Sequence, residues 1–315
     1  MNTTPTLRRI LFFALITSLF ILFIAAQIPR SENFDKNSIS SNFAPTVSND
    51  PVLYAVGDIA DCDRTEDEAT AALLTNTQGS IAILGDSAYL NGGSEEYQTC
   101  FDPAWGIFSE RLLPAPGNHD YRTPGAAGYF GYFGDRAGEN SHGFYSTTIG
   151  AWRIIALNSN CEVPGIGCTA DSPQAQWLKE QLAKSDVRCT LAFMHHPRFS
   201  SGNHGNTEAV QPLWNLLYQF NADLVLAGHD HNYERFSPQT PDGTQDPARG
   251  LREFVVGTGG AALRNFNTPE PQSEIRNSTH YGVLKLTLHS KSYDWEFLSS
   301  IGDPAFSDRG TAGCH

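Results

Sequence analysis

Short apolar runs alternate with polar clusters along most of the chain. Val52-Leu53-Tyr54-Ala55-Val56, Ile81-Ala82-Ile83-Leu84, Thr190-Leu191-Ala192-Phe193-Met194 and Leu224-Val225-Leu226-Ala227 are each of strand length and continuous in apolar character. Such runs, closed by turn residues, read as strands buried on both faces. Helical spacing fills the gaps between them. Ala69, Ala72 and Leu73 place a helix over residues 66–74, Ser172-Pro173 caps and opens another reaching 182, and a third is predicted over 208–220. Residues 152–157 alternate into a further strand, whereas 121–134 read as a glycine- and aromatic-rich loop. The late segments 254–256, 282–288 and 293–298 predict antiparallel strands that together complete a second sheet. Strands and helices in alternation, followed by strands and without an internal repeat, define one α/β domain with two packed sheets over residues 51–315.

The strand ends carry the chemistry. The apolar runs close on Gly57-Asp58, Gly85-Asp86-Ser87-Ala88-Tyr89, Gly117-Asn118-His119-Asp120, His195-His196 and Gly228-His229-Asp230-His231. In an open parallel or mixed sheet, ligands collect beyond the carboxyl ends of the strands, so these clusters converge on one crevice. Taken singly, each residue also suits a turn or a surface. Taken together they form a set of oxygen and imidazole donors without thiolate, which suits Mn, Fe or Zn and is too large for one tetrahedral ion. Two ions at about 3.5–4 Å need one bridging carboxylate and three further protein ligands each.

Composition narrows the class. The 315 residues, 40% hydrophobic, are enough for a large core, and 34 acidic against 21 basic side chains give a net charge of -13, which works against nucleic-acid phosphates. Arg8-Arg9 precede an apolar run over residues 10–26, broken by Thr17 and Ser18. That pattern is a secretory signal or an uncleaved membrane anchor, with residues 1–27 as leader and 28–50 as a flexible linker rich in Ser and Asn. Six cysteines in an exported chain predict disulfides. Cys161 and Cys168 bracket a turn-rich loop and form the first expected pair, with Cys62–Cys100 and Cys189–Cys314 as the others.

The ordered series of five clusters resembles the calcineurin-like metallophosphoesterase superfamily. Tyr89 and the run Asn232-Tyr233-Glu234-Arg235 make the chain similar to a compact purple acid phosphatase. The resemblance covers about residues 51–300 and implies a four-layer α/β/β/α sandwich, with two packed mixed sheets flanked by helices. It further implies that Asp58, Tyr89 and His231 bind a first metal, that Asn118, His195 and His229 bind a second, and that Asp86 bridges them. Fe(III) is then expected at the Tyr89 site and Fe(II), Zn or Mn at the other. The implied activity is an exported phosphomonoesterase acting on small-molecule phosphate esters by in-line attack of metal-bound hydroxide; a phosphodiesterase or nucleotidase with the same metals is the alternative. His119 is expected at the phosphate or leaving group with Asp120 orienting it, His204 as a second proton donor, and His196 in a catalytic or rim position. Glu234 and Arg235 are expected to pair near the site. Any membrane contact is expected through residues 10–26 alone.

Overall fold

In the computed structural model, residues 49–184, 187–300 and 306–315 are described. The leader over 10–26 and the linker up to residue 48 lie outside the described residues. Among the described residues, no helix is long and apolar enough to cross a membrane.

In chain order the strands are β1 (Val52–Val56), β2 (Ala60–Asp61), β3 (Ser80–Leu84), β4 (Ala88–Tyr89), β5 (Leu112–Ala115), β6 (Tyr145–Ile149), β7 (Trp152–Ala156), β8 (Cys189–Phe193), β9 (Leu224–Ala227), β10 (Tyr233–Phe236), β11 (Arg252–Val256), β12 (Ser273–Asn277), β13 (Gly282–Leu288), β14 (Ser292–Ser299) and β15 (Arg309–Gly313). One sheet runs β15-β14-β13-β1-β3-β5, and the other runs β12-β10-β11-β9-β8-β7-β6. Both are mixed. β1, β3 and β5 run parallel, as do β7, β8, β9 and β11, while β13, β14 and β15 continue the first sheet in antiparallel order and β6, β10 and β12 add antiparallel pairs to the second.

Alternation of side chains across each strand explains the layers. Leu53, Ala55, Ala82 and Leu84 of the first sheet meet Ile154, Leu191, Phe193, Leu224, Leu226 and Phe254 of the second, forming the core between the sheets. The opposite face of the first sheet, with Tyr54, Val56, Ile81 and Ile83, packs on Phe101, Trp105, Tyr129 and Phe133. The outer face of the second, with Ile155, Ala192 and Val225, packs on Leu178, Leu213 and Trp214. These last side chains belong to helices Pro173–Leu182 and Gln211–Gln219, so the order of layers is α/β/β/α.

Two expectations are corrected. The late segments do not form one antiparallel group: β11 lies parallel beside β9 in the second sheet, whereas β13 and β14 extend the first sheet from β1. The aromatic stretch is no loop, because Ala127–Phe133 forms a helix whose Tyr129 and Phe133 are buried against Tyr97 and Phe101. Its glycines hid a helix driven by aromatic packing rather than by propensity. The expected helix start at Ser172 is present, with its hydroxyl accepting from Ala175 N at 3.2 Å. All three expected disulfides, Cys62–Cys100, Cys161–Cys168 and Cys189–Cys314, are formed.

Candidate metal centre

The clusters singled out by sequence follow the parallel strands β1, β3, β5, β8 and β9, and the two parallel sets aim these segments at the same end of the sandwich. The turns are tight. Asp58, Asp86 and His229 adopt φ of 60°, 49° and 69°, a left-handed conformation that costs a non-glycine residue about 1 kcal/mol or more. The glycine before each has a reason to be there. A Cβ on Gly85 would sit 2.6 Å from His195 Nδ1, and one on Gly228 would sit 2.7 Å from Asp58 Oδ2.

Two groups of donor atoms result. Around the Tyr89 hydroxyl lie Asp58 Oδ1 at 2.7 Å, His231 Nε2 at 3.1 Å and Asp86 Oδ2 at 3.2 Å. Around His195 Nε2 lie Asn118 Oδ1 at 3.0 Å, His229 Nδ1 at 3.2 Å and the same Asp86 Oδ2 at 3.2 Å. One carboxylate oxygen thus belongs to both groups. The outward nitrogens are fixed by carbonyls: His195 Nδ1 to Leu84 O at 2.8 Å and His231 Nδ1 to Ala262 O at 2.9 Å. Those contacts leave Nε2 of each ring facing the cleft, the arrangement that orients metal-binding imidazoles.

The electrostatics show what this crowding costs. Burial raises the Tyr89 hydroxyl well above the usual phenol range, and Asp58 and Asp86 raise it further. Burial also opposes ionisation of Asp58 and Asp86, yet His231 beside the first and His195 beside the second hold both below the usual carboxylate range. His195 is pushed up to about 9: burial disfavours its charge, but Asp86 outweighs that. Burial and the neighbouring His195 push His229 far down. Asp58, Asp86 and His195 present ligand atoms all within 4.8 Å of one another, as do His195, His196 and His229. Hard oxygens with imidazoles and no thiolate fit Mn, Fe or Zn.

Around this centre the expected helpers take mixed positions. His119 stacks edge-on to Tyr89 with ring centres 4.5 Å apart, and its Nδ1 bonds the Leu90 carbonyl at 2.6 Å, so Nε2 points toward Asp86 Oδ2, 4.0 Å away. Asp120 does not orient that ring. Its buried carboxylate accepts from Gly117 N, Asp86 N and the Tyr97 hydroxyl at 2.8, 3.2 and 2.6 Å, which ties the β3 and β5 turns together. His196 rests its Nδ1 on Ser159 Oγ at 2.8 Å, and its ring lies 4.4 Å from that of His229. His204 lies over His229 with ring centres 4.2 Å apart and offers Nε2 as acceptor to the Arg264 guanidinium at 2.7 Å. That contact is the reverse of a proton donor's. Glu234 and Arg235 do not pair with each other, because they sit on opposite faces of β10: Glu234 takes Ser201 N and Oγ, while Arg235 bonds Asp308. Sequence reasoning missed Tyr97, Ser159 and Arg264, which sit outside the strand-end clusters and carry no local signal.

Two stacked mixed sheets with a cleft of hard donors at the carboxyl ends of their parallel strands define the class: a metallophosphoesterase-type α/β sandwich. The chain belongs to the calcineurin-like phosphoesterase family, whose sequence profile matches residues 41–233. It is 29% identical over 263 residues to purple acid phosphatase 23 of Arabidopsis thaliana, covering 70% of this chain and 56% of that protein. To purple acid phosphatase 21 of the same plant it is 26% identical over 87% of this chain and 68% of the relative. Against the first of these the chain spans just over half the relative's length. Among solved structures, purple acid phosphatase PPD1 from yellow lupin seeds superposes with a TM-score of 0.69 at 20% identity, covering 83% of this chain and 53% of that one. GAP50, the anchor in the inner membrane complex of Plasmodium, superposes with a TM-score of 0.60 at 16% identity, covering 82% and 88%. These two likenesses concern the fold.

Proposed function

We propose that this chain is an exported, metal-dependent phosphomonoesterase of the purple acid phosphatase type. The observation that carries the reading is the position of Asp86 Oδ2, within 3.2 Å of both Tyr89 Oη and His195 Nε2. Asp58, Tyr89 and His231 would hold one cation, Asn118, His195 and His229 the other, with Asp86 between them. The phenolate suits Fe(III) at the first site, and Fe(II), Zn or Mn suits the second. Such a pair would neutralise phosphoryl oxygens and supply an activated water. Plant relatives named as purple acid phosphatases support the choice of ester.

The chain's own residues do the rest. His119, anchored through Nδ1 to Leu90 O, keeps Nε2 at the cleft mouth, where it meets a phosphoryl oxygen or hands a proton to the leaving oxygen. His196 is held mainly neutral, because burial and then the charge of His195 push it down to about 3. Its position beside His229 makes it a hydrogen-bonding wall for the phosphate. Asp120 keeps the Asp86 and Asn118 turns in register. No free cysteine occurs among the described residues, which supports an oxidising compartment and hence export.

Metal analysis joined to hydrolysis of an aryl phosphate from acid to mildly alkaline pH tests the reading. Protein that retains no transition metal and leaves the ester intact overturns it. Relative rates on an aryl phosphate, a bis-aryl phosphate and nucleotides separate the monoesterase from the diesterase. A visible charge-transfer band that vanishes in Tyr89→Phe identifies iron at the phenolate site.

A further inference from the structure

Arg264 is built into the rim of the cleft in a way that none of the roles above uses. It lies between β11 and β12 on a segment bolted to the ligand-bearing turns: Ala261 N donates to Asp58 O at 3.0 Å and Arg264 N to His231 O at 2.9 Å. Between them, Ala262 O holds His231 Nδ1. The backbone of this segment is therefore tied to the ligand-bearing turns at three points. Its guanidinium reaches across to His204 Nε2 at 2.7 Å, and His204 in turn lies over His229. The positive charge thus stands one imidazole away from a candidate ligand.

What the guanidinium lacks is a carboxylate. Arg64, Arg198, Arg235 and Arg252 each pair with an acid. In a chain of net charge -13, acids are abundant, yet among the described residues none lies within ion-pair distance of Arg264, whose side-chain partner is a neutral ring. Guanidinium is a planar fork that matches phosphate and carboxylate with two parallel hydrogen bonds, and an imidazole engages only one of its donors. Half-buried and anchored through its own backbone, the fork engages His204 through one nitrogen, and its other donors have no side-chain partner among the described residues.

We propose that Arg264 is a specificity-determining residue that binds a second anionic group of the substrate, beyond the scissile phosphoryl. Resting on the phosphoesterase reading, this names a preferred class: phosphoric esters or anhydrides that carry a further phosphate close to the one transferred. His204 is the stand-in partner that yields when the anion arrives. Hydrolysis of such a substrate breaks the bridging P–O bond, the water oxygen joins the attacked phosphorus, and the second phosphate leaves carrying the proton gained by its bridging oxygen.

The test compares metal-loaded wild type, Arg264→Gln and Arg264→Lys on pyrophosphate and on an aryl phosphate whose leaving group has no second anion. In Arg264→Gln the ratio of kcat/KM for pyrophosphate to that for aryl phosphate falls about ten-fold or more, through KM, as expected for loss of a charge-assisted hydrogen bond. Arg264→Lys recovers part of it. Calorimetric binding of pyrophosphate against inorganic phosphate gives the same comparison without turnover. An unchanged ratio, whether both activities fall together or neither moves, overturns the proposal and leaves Arg264 as a support for His204. Absence of aryl phosphate hydrolysis in every protein counts against the phosphoesterase reading instead, and the binding comparison still decides the role of Arg264.

Discussion

Asp86 concentrates the chemistry of the centre in one side chain. Its Oδ1 accepts from His119 N at 2.8 Å, its backbone N is held by Asp120, and its Oδ2 serves both donor groups. On the proposed two-cation reading, Asp86→Ala is therefore expected to lower both bound-metal equivalents together and to cut aryl phosphate hydrolysis by more than about 100-fold. Asn118→Ala touches one group alone, so elemental analysis should find one equivalent retained. Sequence made these residues legible because turn glycines and hard donors recur after each apolar run. It did not reveal Asp120's partners, since Tyr97 enters from a helical segment with no periodic link to the strands. His204 was found, but its relation to Arg264 depends on a contact between two loops 60 positions apart.

At the scale of elements, the segment after His195-His196-Pro197 is held by three buried carboxylates. Glu253 accepts from Arg198 N and Phe199 N at 2.9 and 3.0 Å, Asp230 from Ser200 Oγ and His204 N, and Glu234 from Ser201 N and Oγ. Burial pushes Glu253 up from 4.5 to about 8, against the pull of its two backbone donors. The sign follows from linkage. The folded state keeps a proton that the unfolded state releases between about pH 4.5 and pH 8, so this residue's contribution to stability falls as pH rises through that window. Denaturant unfolding of Glu253→Gln across the window should show a flatter pH dependence than wild type, by at most about 1.4 kcal/mol per pH unit. The cap at Ser172 is a simpler case. Ser172→Ala frees Ala175 N and should cost about 1 kcal/mol of stability while metal content stays the same. Long strands and capped helices could be read from the chain. The short edge strands could not: β12 and β15 alternate half-buried and exposed residues and owe their form to the neighbours they pair with.

The whole molecule is organised by what joins its two sheets. Apolar alternation announced two packed sheets, but which late strand belongs to which sheet is a matter of long-range pairing that no local pattern encodes. Cys189–Cys314 fastens β8, the strand that delivers His195, to the residue after β15, across 125 positions. Replacing both cysteines by serine should lower unfolding stability by about 2–4 kcal/mol, measured by thermal or denaturant unfolding. The Tyr89 hydroxyl lies within hydrogen-bond distance of Asp58, Asp86 and His231 at once, so a cation held there would take the place of its proton. On the proposed reading, loading at Tyr89 would be an exchange, with the phenol's proton released as the cation is taken up, and metal affinity should fall as the medium becomes acidic. Uptake of that first cation would thus be readable as acid released, a titration centred on one hydroxyl.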